Sequence, residues 1–534
     1  MKLDDIPLYD IRLFSVSKRG IMYTGIFTAA DDTVAQWGWR PNTPSTAEEA
    51  LTHRAYVVGR AHHEWQNNAI ARALINRLVE NTVGTNLRVQ CQPKYKLLGI
   101  TEKKAQEWAT RVEALFMADW ESASIDQSGT RDGTALCSVL LTNVLVHGDS
   151  GVRFIRKKKD GLPTLKLQII DSLRFDTPVE KAADPDVIAG VEVDPGTGEP
   201  SAYHIKVSKP NAIVDIQNVN KYQRFPRYES GRLATSLVFL PTRPDQYRGY
   251  SVLLPSIESL KMLSDLENAV VRAEQNRSSV AFAIKAADPE TPRKELDGNV
   301  VYAEGRPSAA DYYGKGGVAL ASGKVLTLRT GDDLITLQNS YNVAVLKDIT
   351  DLLTMTIGAS CSMPQGMLLQ KRLGSYSAAR GDELDADAHA RYLLWNLKNW
   401  LCRPFFESWL EIKIATGEID APGFFLDPTT RNAWLAHEWH GSARGHIDPV
   451  KMANFAKILI ELGICSRERA ISFIFGADLS DEVQRMASEL ETYKEAGLEA
   501  VLANTLLAAK RDGDGDGETD DDPDRDQDKG GNDE

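Results

Sequence analysis

Only five cysteines occur in the 534 residues, Cys91, Cys137, Cys361, Cys402 and Cys465, and no two of them form a C-x-x-C pair. That excludes a disulfide-stapled scaffold and a zinc knuckle, and it predicts reduced, mostly buried thiols. No stretch approaches the roughly 18 consecutive apolar residues of a membrane span. The longest uncharged apolar one, Gly133 to Gly148, is broken by Thr142, Asn143 and His147. The opening residues, MKLDDIPLYDIRLF, carry acids where a secretory signal has a basic start and an apolar run, so the chain is expected to stay in the cytosol where it is made. A net positive charge is lacking too. The net charge is −13; residues 511–534 hold 12 acids against 3 bases, or −9, which leaves −4 on the other 510 residues. A nearly neutral body lacks the broad basic face that grips nucleic acid, so any DNA contact should be loose or local.

Hydrophobic residues at 42% and charged residues at 26% describe an ordinary globular chain. Its length corresponds to about three or four structural units. Residues 1–50, without a sustained period, read as an extended or peripheral arm. From Arg54 to Val89 an amphipathic helix, with Ala69, Ala73, Leu74, Ile75 and Leu78 in step, runs into a turn at Gly84 and a strand. Trp108, Val112, Leu115, Phe116 and Trp120 put five large apolar side chains on one face of a helix over about Thr101 to Ser122, a face that must be buried. Residues 150–245 break into short β-branched runs between Gly, Pro and Asp, the pattern of antiparallel strands.

After Gly249 helical spacing returns in Ile257, Leu260, Leu263, Leu266 and Val270, starting near Pro255, and again in Val343, Leu346, Ile349, Leu352 and Ile357. A Gly-, Pro- and Tyr-rich insert separates the two helices. Gly358 to Ser377, GASCSMPQGMLLQKRLGSYS, has three glycines and a proline and cannot be one unbroken helix. The C-terminal third is helical up to Lys510. The tail from Arg511 has no aliphatic or aromatic side chain to bury and is expected to be disordered.

Motifs that would carry catalysis fail on inspection. The run Gly316 to Val325 is one residue too long for a phosphate-binding loop, and Lys324 is followed by Val325 rather than a hydroxyl residue. Ser362 stands where a nucleophile elbow at Gly358-Ala-Ser360 needs its second glycine. His437 and His440 are three apart, not the four a zincin needs, and the adjacent His62 and His63 point to different faces of a helix. Asp512, Asp514, Asp516 and Gly517 open like an EF-hand, but Pro523 takes the position of its bidentate glutamate. No catalytic, cofactor or metal residue is therefore assigned, and no enzyme is expected.

The order of these elements, with the strings NNAIARALINRLVENTVGTNLRVQ (Asn67 to Gln90), DQYRGYSVLLPSIESLKMLSD (Asp245 to Asp265), TGDDL (Thr330 to Leu334) and IGASCSMPQGMLLQKRLGSYSAAR (Ile357 to Arg380), resembles the lambda-type portal proteins of tailed bacteriophages and phage-like particles over about residues 50–500. One departure concerns the loop, where Ser362 to Leu368 replaces a compact V-P-x-x-L and Gly381 directly follows Ala379-Arg380. The resemblance implies an α+β subunit with a mixed wing, paired long stem helices, a small α/β clip and a helical crown, assembling into a ring. On it, 1–50 is the arm, 51–250 and 378–448 the wing, 251–286 and 336–357 the stem, 287–335 the clip, 358–377 the tunnel loop, 449–510 the crown and 511–534 the acidic tail.

The resemblance also implies a homo-oligomeric ring, typically of twelve copies, at the capsid vertex of a virion assembled in a bacterial host. Double-stranded DNA would pass through it during packaging and ejection. The major capsid protein, the terminase large subunit and a head-completion or adaptor protein would be its partners, with no membrane involved. Gln370, Lys371 and Arg372 would sit on the tunnel loop, the two cations forming a basic girdle or remaining simply solvated. Asp265, Glu267 and Asp348 would either line the stem channel or pair with neighbouring subunits. Two other classes fit less of the pattern. A packaging-motor enzyme would turn over ATP, and another capsid or scaffold oligomer would differ in copies per particle.

Overall fold

The computed structural model describes residues 14–17, 20–23, 44–159, 162–207, 221–279, 283–285, 333–335, 343–371, 376–441, 449–467, 469–471 and 479–495. The expected arm contains a hairpin, β1 (Phe14–Ser17) with β2 (Gly20–Tyr23), and ends in a helix, α1 (Thr46–Thr52). Its start is set locally: the Ser45 hydroxyl accepts from the Glu48 amide, and Glu48 and Glu49 place negative charge on the first turn. Two longer helices follow, α2 (Arg54–Asn67) and α3 (Ala69–Val83), split at Asn68. Asn68 Oδ1 caps α3 by accepting from the amides of Ile70 and Ala71, while its Nδ2 donates to Glu64, the Leu260 carbonyl and Ser264. A helix break in the first hundred residues is thereby tied to a helix two hundred residues on.

Strand β3 (Arg88–Cys91) and the single turn α4 (Tyr95–Leu98) lead to α5 (Glu102–Trp120), capped by Thr101, and α6 (Gly133–His147), capped by Asp132. Helix α6 is buried around most of its circumference, which explains why its sequence is uncharged and apolar on most sides rather than on one stripe. Next come β4 (Asp149–Lys159) and β5 (Leu162–Ile170), then β6 (Val187–Ile188), β7 (Val191–Val193), β8 (Pro200–Lys206) and β9 (Tyr222–Pro226), the small hairpin β10 (Tyr228–Glu229) with β11 (Arg232–Leu233), and β12 (Thr235–Phe239). They form a three-stranded sheet, β12-β4-β5, and a four-stranded sheet in chain order, β6 to β9, antiparallel throughout.

Two long helices then bracket the insert. Helix α7 (Ile257–Ser279) leads to β13 (Ala283–Lys285), which pairs antiparallel with β14 (Asp333–Ile335) before α8 (Val343–Ser360). Leu260, Leu263 and Ile357 of the two helices reach the main core. The turn α9 (Gln365–Leu368) interrupts the proposed loop, and helix resumes in α10 (Tyr376–Leu397), earlier than its glycines suggest. A π-helical turn, Lys398–Cys402, joins α10 to α11 (Arg403–Ala415) where the sequence reads as one helix. Pro404 has no N–H to continue the α ladder, and the wider turn absorbs that loss. After α12 (Pro428–Trp434), β15 (His437–His440) returns to pair with β3, and α13 (Pro449–Glu461) and α14 (Leu479–Glu495) follow.

One core holds these distant pieces together. Phe116 and Trp120 of α5 pack on Phe405, Phe406 and Trp409 of α11 and on Trp439 of β15, with ring centroids 5.1 to 6.1 Å apart. Such close aromatic contacts add about 0.5–1.5 kcal/mol per pair to the burial of apolar area. Among the described residues no helix is long and apolar enough to cross a membrane. Gly133 starts α6 flat against the Trp120 ring, where a Cβ would come within 2.2 Å of it. Gly133→Ala is expected to lower stability by about 1–3 kcal/mol through overpacking, read as a reduced urea midpoint with unchanged m-value.

Candidate functional site

The segment that leads towards α7 is tied to α2, β4 and the turn after β5 by a buried carboxylate. Asp149 opens β4 with no exposed surface, and Arg248, just before α7, is 2% exposed. Arg248 Nε donates to Asp149 Oδ2 at 2.7 Å and its Nη2 to Oδ1 at 3.1 Å. Arg54 Nη2 of α2 donates to the same Oδ1 at 2.9 Å, the Gly249 amide donates to Oδ2 at 3.0 Å, and Ser172 Oγ completes the shell. Arg248 spends its remaining donors on the carbonyls of Ser172, Phe175 and Ala189, and Arg54 on those of His147 and Gly249.

Burial alone would raise the Asp149 carboxyl, but the two guanidiniums outweigh it and hold it below the ordinary carboxylate value. Arg54 pays the opposite way: burial lowers it to about 10 despite Asp149. The backbones cross beside this cluster. A Cβ on Gly249 would lie 2.0 Å from the Gly148 carbonyl oxygen, so neither strand of the crossing tolerates a side chain there.

The loop that follows α8 is anchored at its base. Met363 N donates to the Gly358 carbonyl at 2.9 Å and Cys361 Sγ to the Val252 carbonyl at 3.5 Å, while Cys361, Met363 and Leu368 are buried in the core. Ser362 and Gln370 both adopt left-handed backbone, at φ 52° and 54°, which turns the chain sharply on either side of α9. Gln370 and Lys371 are exposed, with the Lys371 amide bonded to the Gly366 carbonyl at 2.9 Å. Arg372 lies outside the described residues, as do the insert 286–332 with its near-miss phosphate loop and the acidic tail.

Of the three candidate stem acids, Asp265 forms an i,i+4 pair with Lys261 on the exposed surface of α7, and Glu267 and Asp348 are exposed. Asp265 and Glu267 are two residues apart, about 200° around the helix, so they cannot share one channel-facing stripe. His437 and His440 lie on a strand, not a helix, bonded to the Leu435 carbonyl and to Gln90. His62 meets the His147 ring nitrogen at 2.9 Å while His63 is exposed, as their adjacent positions on a helix require. Among the described residues no group of three or more His, Cys, Asp or Glu could hold a metal.

The sequence profile described as "Phage portal protein, lambda family" matches residues 35–393. The chain belongs to that family. The matched stretch contains Arg54, Asp149 and Arg248 as well as the loop through Lys371 and Arg372. Two portal proteins are similar along nearly their whole length. Portal protein B of Escherichia phage lambda is 24% identical over 507 residues, covering 89% of this chain and 92% of that protein. The portal protein of Escherichia phage N15 is 24% identical over 487 residues, covering 85% and 88%. Among solved structures, a chain from the neck of a native gene transfer agent particle, computed with C12 symmetry, aligns with TM-score 0.40 at 13% identity over 79% of this chain and 93% of that one. A chain from the neck of the empty particle, computed with C6 symmetry, gives 0.40 at 14% over 82% and 96%.

Removing the shared carboxylate leaves two buried guanidiniums without a counter-charge. Asp149→Ala is expected to cost on the order of 3–5 kcal/mol, measured by denaturant unfolding of the purified chain. A loss no larger than that of a surface Asp→Ala control would show that the cluster does not hold this portal-family fold together.

Proposed function

We propose that copies of this chain, typically twelve, close into a ring at the capsid vertex. Double-stranded DNA passes through its axis during packaging, is retained, and leaves at ejection. Residues 51–250 and 378–448 form the wing, 251–286 and 336–357 the stem, 287–335 the clip, 358–377 the tunnel loop and 449–510 the crown. The terminase large subunit and a head-completion or adaptor protein dock on the ring, and the major capsid protein surrounds it in a virion assembled in the host cytoplasm. The reading assigns no enzymatic step to the chain.

Family membership across residues 35–393 is the observation that carries this reading. The geometry supports it in two further ways. Helices α7 and α8 keep large apolar side chains exposed, Met262 and Val271 on one and Val345, Ile349, Leu352 and Met355 on the other, as required of helices whose sides are covered by neighbouring copies. And a sliding channel needs weak phosphate contacts, since each persistent Lys or Arg contact adds affinity. A body carrying only −4, with one or two cations per loop tip, meets that need.

Ile349→Asp with Leu352→Asp is expected to convert a ring into free subunits, measured as a drop in sedimentation coefficient with the far-UV spectrum preserved. An unchanged ring would remove these stem positions from the interface. Lys371→Glu is expected to leave ring mass and thermal midpoint unchanged, because the side chain is exposed, while lowering the amount of DNA retained in packaging reactions. Wild-type retention would leave Lys371 a solvated loop charge.

A further inference from the structure

Helices α13 and α14 each carry an apolar stripe that the described residues of their own chain leave uncovered. On α14, Leu479, Val483, Met486, Leu490 and Tyr493 recur at intervals of four, three, four and three, the spacing of a coiled-coil seam. Val483, Met486 and Leu490 are 53%, 56% and 45% exposed. On α13 and the turn that ends it, Phe455, Leu459 and Leu462 recur at four and three, with Ile458 beside them. Phe455, Ile458 and Leu462 are 53%, 52% and 67% exposed. At a rise of 1.5 Å per residue the two helices are about 20 Å and 25 Å long, well matched to lie along one another.

Charge separates the possible pairings. The α13 sequence has two lysines against one glutamate, a charge of +1, and the α14 sequence has five acids against two bases, a charge of −3. Packing α14 on another α14 would bring like charges together, whereas α13 on α14 brings opposite ones together. A contact between two different patches also propagates from copy to copy and can close into a ring, whereas a contact of one patch with itself stops at two. Helices this short are marginal as isolated pairs, so closure of the ring supplies the effective concentration that holds them.

We propose that α13 of each copy packs its stripe onto α14 of the adjacent copy, so that the C-terminal helices form a continuous belt of helix pairs around the ring. The belt rests on the ring-forming reading above and adds to it a specific, directional contact.

The test uses the full chain with Leu459→Cys and Met486→Cys, in a Cys465→Ser background because Cys465 is half-exposed and its amide bonds to the Leu459 carbonyl. After mild oxidation, a non-reducing denaturing gel of the double variant is expected to show a ladder of covalent multimers reaching the full ring. Each single variant is expected to stay monomeric. An internally bonded monomer would mean that the two helices pair within one chain, and dimers from a single variant would mean like-with-like packing. Either result overturns the belt. Absence of cross-links while the uncoupled sample keeps its ring mass would overturn the belt alone. Loss of any ring in solution, for the unsubstituted chain as well, would overturn the belt together with the portal reading.

Discussion

The Asp149 carboxylate fixes where three remote stretches of chain meet. Arg54 comes from the second helix, Arg248 from the residues before α7, and Ser172 from the turn after β5, and all three donate to the same buried carboxylate. A charge so placed is costly unless every donor is aimed at it, so the cluster tolerates one arrangement of its neighbours and no other. The crossing of Gly148 and Gly249 beside it leaves no room for slack in the backbone. Helix α7 therefore leaves the body from a rigid mount rather than from a flexible joint. Such a mount matters for a long helix, since any tilt at its root would be magnified along its length of about 35 Å.

The second constraint is that the body closes on itself late in the chain. Strand β15 pairs with β3 across about 350 residues, and the aromatic cluster of Phe116, Trp120, Phe405, Phe406, Trp409 and Trp439 is shared between the two halves. The core that Leu260, Leu263 and Ile357 of α7 and α8 join is thus completed only by residues that follow α8. Ordering such long-range contacts costs loop-closure entropy before it yields burial, which places the gain on a large, well-packed interior.

Local periodicity made much of this legible. The stripe through Trp108, Val112, Phe116 and Trp120 matches α5, and the repeats through Leu260 and Leu263 and through Leu346 and Ile357 match α7 and α8, because an amphipathic helix writes its buried face into every turn. The antiparallel strands between 150 and 245 were equally visible. What local pattern does not carry is pairing at a distance. Nothing near Asp149 announces Arg248, 99 residues away, although Arg248 sits inside one of the strings that resemble the portal family. The Ser45-Thr-Ala-Glu48 cap was a readable signal for α1, yet it lay in a stretch without periodicity, and the left-handed turns at Ser362 and Gln370 have no glycine to mark them. The loop cations divide the same way: their presence between two helices was readable, whereas the exposure of Lys371 depends on how Met363 and Leu368 anchor the loop.

These features describe a subunit that is rigid where α7 is rooted, apolar along the exposed faces of α7 and α8, and nearly neutral over residues 1–510. Each property makes sense for a ring that passes a polyanion without holding it, and none suffices without the ring itself. The most direct measurement is therefore the mass of the unmodified protein in solution together with class averages of negatively stained particles. The account predicts rings of about a dozen copies with an open axial hole. A compact small oligomer without an axial channel would contradict it.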